Sequence, residues 1–413
     1  MGLTEEDLAT RAGTTVERLR ELIAIGIIRP GPNARQPFSE GDALRVQLVE
    51  HLAASGIMPA SVGTAIERGA LSLSFLDKMP GPAPRVERTH TDLCDELGIP
   101  FELLDRIYIG FGLPRPRPDE LVRADDWEII SGLPILFAAG LGEAEILRVA
   151  RVWGEGPRRV AEHQVRAFHE RFEEPYRQQG LPDDQVLGRA LSEVGVQVTQ
   201  FCRRLNDWIY GRHFETYATY HRMEHVEVAL EIADLHRRAA QPDAAVFADL
   251  SGYTALTDRL GDQVSVDIVL RLAELTQEVA ERHGGRVVKM LGDGVQFIFD
   301  EPASAVLGSL DFVDSVEPRG LPPAHIGINA GPITYTDGDY YGLAVIIAAR
   351  IASTAGPGDV LVGESVVQAG APQGVRFEEI GPVELKGVRR PVVISRAVKE
   401  AAGDGTTKAG LSS

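Results

Sequence analysis

Two aspartates stand where apolar strands meet glycine-containing turns, a position from which a carboxylate can leave a sheet and bind a cation. Asp249 lies in VFADLSGYT, and Asp293 follows 44 residues later in KMLGDGVQFIF. Mg²⁺ prefers oxygen ligands and usually binds through one or two carboxylates together with substrate phosphates. This pair therefore predicts a site for a divalent cation and a nucleoside triphosphate.

Each aspartate also has a plainer interpretation as a turn residue. Asp249 could cap the helix that follows it, and Asp293 could simply occupy the Gly292-Asp293 tip of a hairpin, where Asp and Gly are common. If a nucleotide binds, the turn after Asp249 can direct backbone N–H groups at phosphate oxygens, as glycine-containing turns before helices do. The residues of this turn are Leu250, Ser251, Gly252, Tyr253 and Thr254.

Length and composition predict a globular, cytoplasmic protein of several domains. The chain has 413 residues, more than one hydrophobic core usually holds, so two or three domains are expected. No apolar run reaches the ~20 residues that a membrane span needs, and Met1–Gly13 has no basic start followed by an apolar stretch, as a secretory signal would. A net charge of −18 argues against general attraction to DNA or anionic lipid.

The hydrophobic pattern divides the chain into two halves. Helical periodicity continues to about Arg238, whereas from Ala244 onward short Val- and Ile-rich runs alternate with amphipathic stretches, which is typical of a sheet carrying helices. The segment His221–Arg238 contains no Gly or Pro and predicts one continuous helix leading into the second half. The predicted domains are 1–80, 86–240 and 241–400, followed by a tail at 401–413 whose small, polar composition predicts disorder.

A repeat with a period near 85 residues is visible in the helical half. The segment from Ala12 to Leu19 aligns with the segment from Leu97 to Leu104. GIIRP near the end of the first copy likewise aligns with GLPRP in the second. Such self-similarity predicts a duplicated helical unit.

The first copy resembles the winged helix-turn-helix of regulators of the mercury-resistance (MerR) type. The resemblance lies in LATRAGTTVERLRELIAIGIIRP and FSEGDALRVQLVEHLAASGI, and it implies a tight turn at Gly13 and a wing at Pro30–Pro37. In that family the wing and the second helix contact DNA phosphates. Met1–Ala70 holds nine acidic residues against seven Lys or Arg, a poor surface for phosphate. DNA contact is therefore less favoured than a helical scaffold that packs and regulates.

Six segments after Ala244 together resemble a class III nucleotide cyclase homology domain, an α+β domain with a ferredoxin-like fold. In chain order they are VFADLSGYT, GGRVVKMLGDGVQFIF, HIGINAGPI, GDYYGLAVIIAARIAS, PGDVLV and VELKGV. The resemblance implies an enzyme that converts ATP or GTP to a 3′,5′-cyclic nucleotide. With the helical periodicity of the first half, the expected fold is an all-α half followed by this α+β domain.

The resemblance gives roles to the aspartates and to a base-reading pair. Asp249 and Asp293 would hold two Mg²⁺ or Mn²⁺ ions, one lowering the pKa of the ribose 3′-hydroxyl and the other neutralising the triphosphate. Lys289 and Asp339 match the family's purine readers, in which an ammonium donates to adenine N1 and a carboxylate accepts from the 6-amino group. Guanine presents the opposite pattern, so ATP is the implied substrate. Taken singly, Lys289 could be a solvated strand-end lysine and Asp339 a turn former.

The helix after GDYYG departs from the family's pattern. The family carries an Asn and, one helical turn later, an Arg. Arg350 is present and would stabilise negative charge on the α-phosphate, but the Asn position is Ile346. Losing one such polar group typically costs ~10² to 10³ in rate. Lys386 in VELKGV matches a family lysine that grips the phosphates, although a surface lysine before a Gly turn is a fair alternative.

Two functions remain open from the sequence. Because the metal aspartates, the base readers and Arg350 are all present, a slow adenylate cyclase is favoured over a degenerate domain that binds nucleotide and signals, with or without DNA binding by the first half. One cyclase domain per chain implies a homodimer with two equivalent sites. In each site the two aspartates of one subunit would face residues of the partner subunit: Lys289, Asp339, Arg350 and Lys386.

The helical half is expected to regulate the cyclase domains. Through the His221–Arg238 helix it would set how two such domains are placed, because a small rotation opens or closes a site between subunits. His213, His221, His225 and His236 lie in or near that helix and could make this control pH-dependent. A solvated or core histidine is the simpler interpretation of each.

Overall fold

Two compact units make up the chain, Met1–Val226 and Glu227–Ser413. The computed structural model describes residues 2–235 and 241–400, with the backbone alone at positions 183, 184, 196, 254, 260, 262 and 263. The tail at 401–413 and the end of the expected connector helix, with His236, lie outside the described residues. The domain limits given above therefore stay predictions.

The first unit is built mainly from helices. In chain order they are α1 (Glu5–Ala12), α2 (Val16–Ala24), α3 (Glu40–Ala54), α4 (Pro59–Glu67), α5 (His90–Leu97), α6 (Phe101–Phe111), α7 (Ala124–Ile130), α8 (Pro134–Ala138), α9 (Glu143–Phe168), α10 (Glu174–Gln178), α11 (Asp183–Ala190) and α12 (Val196–Ile232). A 3₁₀ turn spans Ser74–Lys78. Within residues 2–235 and 241–400, no helix combines the length and apolar content that crossing a membrane requires.

The backbone repeats as the sequence predicted. A capping box opens α1 at Thr4 and recurs at Thr89, which opens α5. Both helices end at a glycine with positive φ, Gly13 at 74° and Gly98 at 66°, an offset of 85 residues (98 − 13). Glycine adopts this left-handed conformation without the strain of a side chain. The tight turn at Gly13 is thus confirmed, while the likeness to MerR-type units stays a prediction.

The expectation of an all-α first half is wrong in one place, because the second copy contains a small antiparallel sheet. It pairs β1 (Arg85–Thr89) with β2 (Leu121–Arg123). Val122 is buried, and Val86 packs against the same apolar cluster, so the two strands cover one side of this copy's core. Strands of five and three residues are too short to interrupt a helical periodicity visibly.

The connector helix ends earlier than predicted. α12 stops at Ile232, whereas the sequence suggested a helix continuing to Arg238. The Leu235 N–H donates to the Leu230 carbonyl at 2.9 Å, and Asp234 between them takes a left-handed φ of 55°. This capping turn satisfies carbonyls at the helix end, and hydrophobic spacing alone does not reveal it.

The second unit is one mixed sheet carrying helices, as predicted. Its elements are β3 (Ala244–Leu250), α13 (Tyr253–Leu260), α14 (Asp262–His283), β4 (Gly285–Met290), β5 (Gly294–Phe299), α15 (Pro302–Val316), β6 (Ala324–Ala330), β7 (Thr334–Thr336), β8 (Asp339–Tyr341), α16 (Leu343–Ala352), β9 (Val360–Gly363), α17 (Glu364–Ala369), β10 (Val375–Val383) and β11 (Val392–Lys399). The seven-stranded sheet has the order β10-β11-β9-β6-β3-β5-β4, and β7 pairs with β8 separately. Of its neighbouring pairs, β6 and β9 are parallel and the others antiparallel.

The central strand β3 is covered on both faces. Val246 and Ala248 belong to the main core with residues of α14 and α15. Ala245 and Phe247 belong to a smaller cluster that includes Ala348 of α16. Because side chains alternate along a strand, Asp249 continues the α16 face at the end of β3. The fold thus places the Asp249 carboxylate at the end of a buried strand.

Candidate functional site

Asp249 and Asp293 meet at one end of the sheet. In the pairing of β3 with β5, Asp249 lies opposite Gly294, the residue that follows Asp293. The Leu250 N–H donates to the Asp293 carbonyl oxygen at 3.1 Å, which ties the β4–β5 hairpin tip to the end of β3. The structure therefore brings together the two acids that the sequence singled out.

A tight turn sets the position of Asp293. The Leu291 N–H donates to the Gly294 carbonyl at 2.7 Å, which closes the hairpin around Gly292 and Asp293. Gly292 has a φ of 75°, a conformation that a side chain would strain. The hairpin tip expected at these two residues is present.

The electrostatics of Asp249 reflect a shared site. Burial raises the pKa of its carboxyl group above the ordinary value, and the charge of Asp293 raises the pKa further. The nearby His325 and a backbone hydrogen bond from Leu250 act in the opposite direction on the same pKa. A divalent cation, which prefers oxygen ligands, would relieve the repulsion that raises the pKa of Asp249. The pair therefore fits a cation better than it fits two unrelated turn residues.

The donor set also limits which metal chemistry fits. Among the residues that the structure describes, no three His, Cys, Asp or Glu side chains are grouped to hold a metal ion. Two carboxylates leave the remaining coordination positions to water and phosphate oxygens, the usual arrangement for Mg²⁺. The residues present therefore fit Mg²⁺ or Mn²⁺ bound together with a nucleotide, rather than a closed structural metal site.

The turn after Asp249 offers fewer backbone donors than the sequence suggested. The N–H groups of Leu250 and Ser251 are already bonded to the carbonyls of Asp293 and Pro323, at 3.1 and 2.8 Å. Gly252, with a φ of 76°, precedes α13, whose first N–H groups have no acceptor inside the helix. Of the five N–H groups predicted to contact phosphate, those of Gly252, Tyr253 and Thr254 stay candidates.

Two side chains of this turn contribute differently. Tyr253 packs against the main core, and its hydroxyl donates to the Ser265 carbonyl at 3.4 Å. Its ring therefore anchors α13 to the sheet instead of facing a ligand. The Thr254 side chain lies outside the described part of the chain.

The base-reading pair predicted from the sequence is assembled. Lys289 Nζ lies 2.5 Å from Asp339 Oδ2, although the two residues are 50 positions apart. The other carboxylate oxygen, Oδ1, accepts the Tyr340 N–H at 2.8 Å, which fixes the orientation of the Asp339 side chain. A donor and an acceptor thus stand side by side at the end of β4 and the start of β8, and their role in reading a base stays a prediction.

Arg350, Ile346 and Lys386 are all exposed side chains. Arg350 and Ile346 are exposed one turn apart on α16, and Ile346 keeps 51% of its surface accessible. Lys386 is exposed in the turn after β10. Within residues 2–235 and 241–400, neither the Arg350 nor the Lys386 side chain forms a hydrogen bond or ion pair with Asp249 or Asp293. The roles predicted for Arg350 and Lys386 at the phosphates therefore stay predictions.

His325 is a neighbour of the site that sequence reasoning missed. It lies opposite Asp249 in the pairing of β3 with β6, and its Nε2 is 3.6 Å from Asp249 Oδ2. The Ser251 hydroxyl oxygen is 3.0 Å from its Nδ1. The letters HIGINAG carry no spacing that links His325 to Asp249, so only the strand register could have found it.

Comparisons with known proteins place two family models on the chain. Residues 39–179 match the adenylate cyclase regulatory domain. Residues 237–396 match the adenylate and guanylate cyclase catalytic domain. The second match contains every site residue discussed above, and the first lies wholly in the helical unit.

Curated relatives resemble the chain across both halves. A pH-sensitive adenylate cyclase of Mycobacterium tuberculosis is 26% identical over 372 residues, covering 88% of this chain and 90% of the relative. An adenylate cyclase of Streptomyces coelicolor is 27% identical over 267 residues, covering 64% of this chain and 67% of the relative.

A solved structure also aligns with part of the chain. The adenylate/guanylate cyclase/hydrolase of Silicibacter pomeroyi is 29% identical, with 40% of this chain and all of that chain covered, at a TM-score of 0.34. That TM-score is too low to support a conclusion about function.

Proposed function

We propose that the chain converts ATP to 3′,5′-cyclic AMP and pyrophosphate, because residues 39–179 match the adenylate cyclase regulatory domain and residues 237–396 match the adenylate and guanylate cyclase catalytic domain. The observation that carries this proposal is the meeting of Asp249 and Asp293 in the same unit as the Lys289–Asp339 pair. A cation pair of Mg²⁺ or Mn²⁺ on the aspartates would supply activation of the ribose 3′-hydroxyl and neutralisation of the triphosphate. The strand order β6-β3-β5-β4 supports the expected ferredoxin-like core.

The chain's own residues divide the work of binding and orientation. The N–H groups at the start of α13, which follows Asp249 closely in the chain, would bind the triphosphate, since a helix N-terminus attracts anions. Arg350 would stabilise the negative charge that develops on the α-phosphate. Lys386 would hold the remaining phosphate charge.

Choice of the base follows from the Lys289–Asp339 pair. An adenine entering between them would accept a hydrogen bond from the ammonium at N1 and donate one from the 6-amino group to the carboxylate. Guanine would set a donor against the ammonium and an acceptor against the carboxylate, which leaves both protein groups unpaired and costly. We therefore expect ATP to be strongly preferred over GTP.

The working unit would be a homodimer. Arg350 and Lys386 are exposed, and neither side chain forms a hydrogen bond or ion pair with Asp249 or Asp293 among the described residues. In a twofold dimer, Arg350 and Lys386 of each chain would complete the site of the partner subunit, which gives two equivalent sites. An exposed Ile346 beside Arg350 fits a surface that a second subunit covers.

The regulatory half would act through α12, the helix that extends from one unit into the other. His221 and His225 stand one turn apart on it, with their Nε2 atoms 3.2 Å apart. Protonating both would place like charges together and weaken that turn. Replacing both with Gln in the full chain should flatten the pH profile of cyclic AMP formation, whereas His51→Gln in the first unit should not. An unchanged profile in the double variant would remove this pair from the regulation.

The direct test of the activity is incubation of the purified chain with ATP and Mn²⁺, with chromatographic measurement of cyclic AMP and pyrophosphate. We expect both products in equal amounts, and little cyclic GMP when GTP replaces ATP. Nucleotide binding without cyclic product would instead favour a degenerate domain that senses nucleotide, the alternative suggested by Ile346 at the position of the family's Asn. If the first half also bound DNA, its affinity for DNA would fall steeply as the salt concentration rises.

A further inference from the structure

We propose that His325 is a positioning residue that holds the Asp249 carboxylate for cation binding through a chain of contacts that begins at Ser251. The inference rests on the proposed role of Asp249 as a metal ligand, and it adds a role for His325, to which no function has been given so far. The chain runs from the Ser251 hydroxyl to His325 Nδ1, at 3.0 Å, and from His325 Nε2 to Asp249 Oδ2, at 3.6 Å.

The strand register makes this arrangement specific. Asp249 and His325 are direct partners in the antiparallel pairing of β3 with β6, so their side chains stand on the same face of the sheet. The ring is largely buried, with 17% of the His325 side chain accessible. A buried ring beside a carboxylate restricts the rotamers that the carboxylate can adopt.

Ser251 fixes the ring in turn. Its N–H donates to the Pro323 carbonyl at 2.8 Å, two residues before His325, so the turn after β3 is bonded to the start of β6 by backbone as well as by side chain. When the Ser251 hydroxyl donates to Nδ1, Nε2 carries the proton and faces Asp249 Oδ2. At 3.6 Å the contact with the carboxylate is electrostatic rather than a hydrogen bond.

Such outer contacts matter because a metal ligand must be held before the ion arrives. Groups that orient a ligating carboxylate or imidazole typically change metal affinity by about 10- to 100-fold when removed. Here the same serine belongs to the turn that leads to the phosphate-facing N–H groups of α13. His325 therefore couples the cation-binding acid to the turn that would receive the triphosphate.

The test is the Mn²⁺ dissociation constant of the full chain without nucleotide, measured by electron paramagnetic resonance at one fixed pH. His325→Ala should weaken Mn²⁺ binding by about tenfold, and His325→Gln, which keeps an N–H of similar reach, should recover most of the loss. Ser251→Ala should reproduce part of the loss. The double variant should bind as His325→Ala does, because the serine acts through the ring.

A matched control is His283→Ala, which removes another half-buried histidine whose Nε2 contacts a carboxylate, Asp311, at 3.0 Å between α14 and α15. It should leave Mn²⁺ affinity unchanged, and melting temperatures would verify that every variant is folded. Unchanged affinity in His325→Ala, or losses in the two single variants that multiply in the double variant, would overturn the positioning role. If Asp249→Asn also left Mn²⁺ binding intact, the proposed metal site itself would fall, which separates the two failures.

Discussion

The two ends of the candidate site are held in different ways. Asp249 lies near the end of the buried strand β3, Asp293 lies at the tip of the neighbouring hairpin, and the Leu250 N–H donates to the Asp293 carbonyl oxygen. Arg350 and Ile346 stand exposed on α16, and Lys386 is exposed in a turn. The acidic end, Asp249 and Asp293, is therefore organised within one chain. The basic end, Arg350 and Lys386 with Ile346, is exposed. From this difference we expect one chain to arrange the predicted cation site and a second copy to complete it.

The largest expected effect is at the acidic end. Asp249→Asn should lower cyclic AMP formation by about 10³-fold or more, because several kcal/mol of charge stabilisation by the cations would be lost. The rate with saturating Mn²⁺ and ATP gives the measurement. Asp311→Asn, which changes an acid bonded to His283 away from the site, is the matched control. A modest loss for Asp249→Asn would mean that the acidic end is not where cations act.

Mixing inactive variants tests whether the two ends come from different subunits. Asp249→Asn and Arg350→Ala should each be inactive as homodimers, but a heterodimer would contain one intact site and one doubly damaged site. After subunit exchange at equal concentrations, about half of the dimers would be heterodimers, and each heterodimer would have one intact site instead of two. Activity should therefore return to about one quarter of the wild-type value. No recovery despite demonstrated exchange would place both ends in one chain.

A gain of function should follow from repairing the basic end. Ile346→Asn restores a polar side chain one turn before Arg350 and should raise the turnover number by about 10- to 100-fold, toward the range that such a group usually contributes. Because Ile346 is exposed, the substitution should leave the melting temperature nearly unchanged. Ile346→Ala is the matched control and should give no gain. If Ile346→Asn behaves as Ile346→Ala does, another group already covers the missing contact.

The smallest effect concerns pH at the acidic end. The pKa of Asp249 is raised above its ordinary value of 3.8 in the folded protein, so its contribution to stability is full below that value and is lost as pH rises through the raised pKa. A bound cation replaces the proton. Mg²⁺ should therefore raise the melting temperature near neutral pH, by about 2 to 4 °C per kcal/mol of binding, and less as the pH falls through the raised pKa. A shift that does not depend on pH would contradict this coupling.

Local chemistry explains what could be predicted from the sequence. The Gly292-Asp293 tip and the turn at Gly13 were predictable because glycine marks backbone conformations that other residues avoid. The mixed sheet was predictable because its strands alternate with amphipathic helices. Lys289 and Asp339 were paired by resemblance, and the structure supplies their contact.

Other features depend on relations that no single segment contains. His325 meets Asp249 only through the register of two strands, because the two residues are 76 positions apart in the chain (325 − 249). The occupied N–H groups of Leu250 and Ser251 depend on carbonyls in the hairpin and before β6. The end of α12 depends on an aspartate taking a left-handed φ, which hydrophobic spacing does not report.

The register of β3 has a consequence for how such a protein could change over evolution. Both faces of this strand are packed, so inserting or deleting one residue would move Asp249 to the main-core face and exchange the side chains that pack against α14 and α16. A one-residue slip of β3 would therefore disrupt the core and displace the carboxylate together. A folded descendant without this carboxylate is expected to arise by substitution of Asp249 rather than by a change of register.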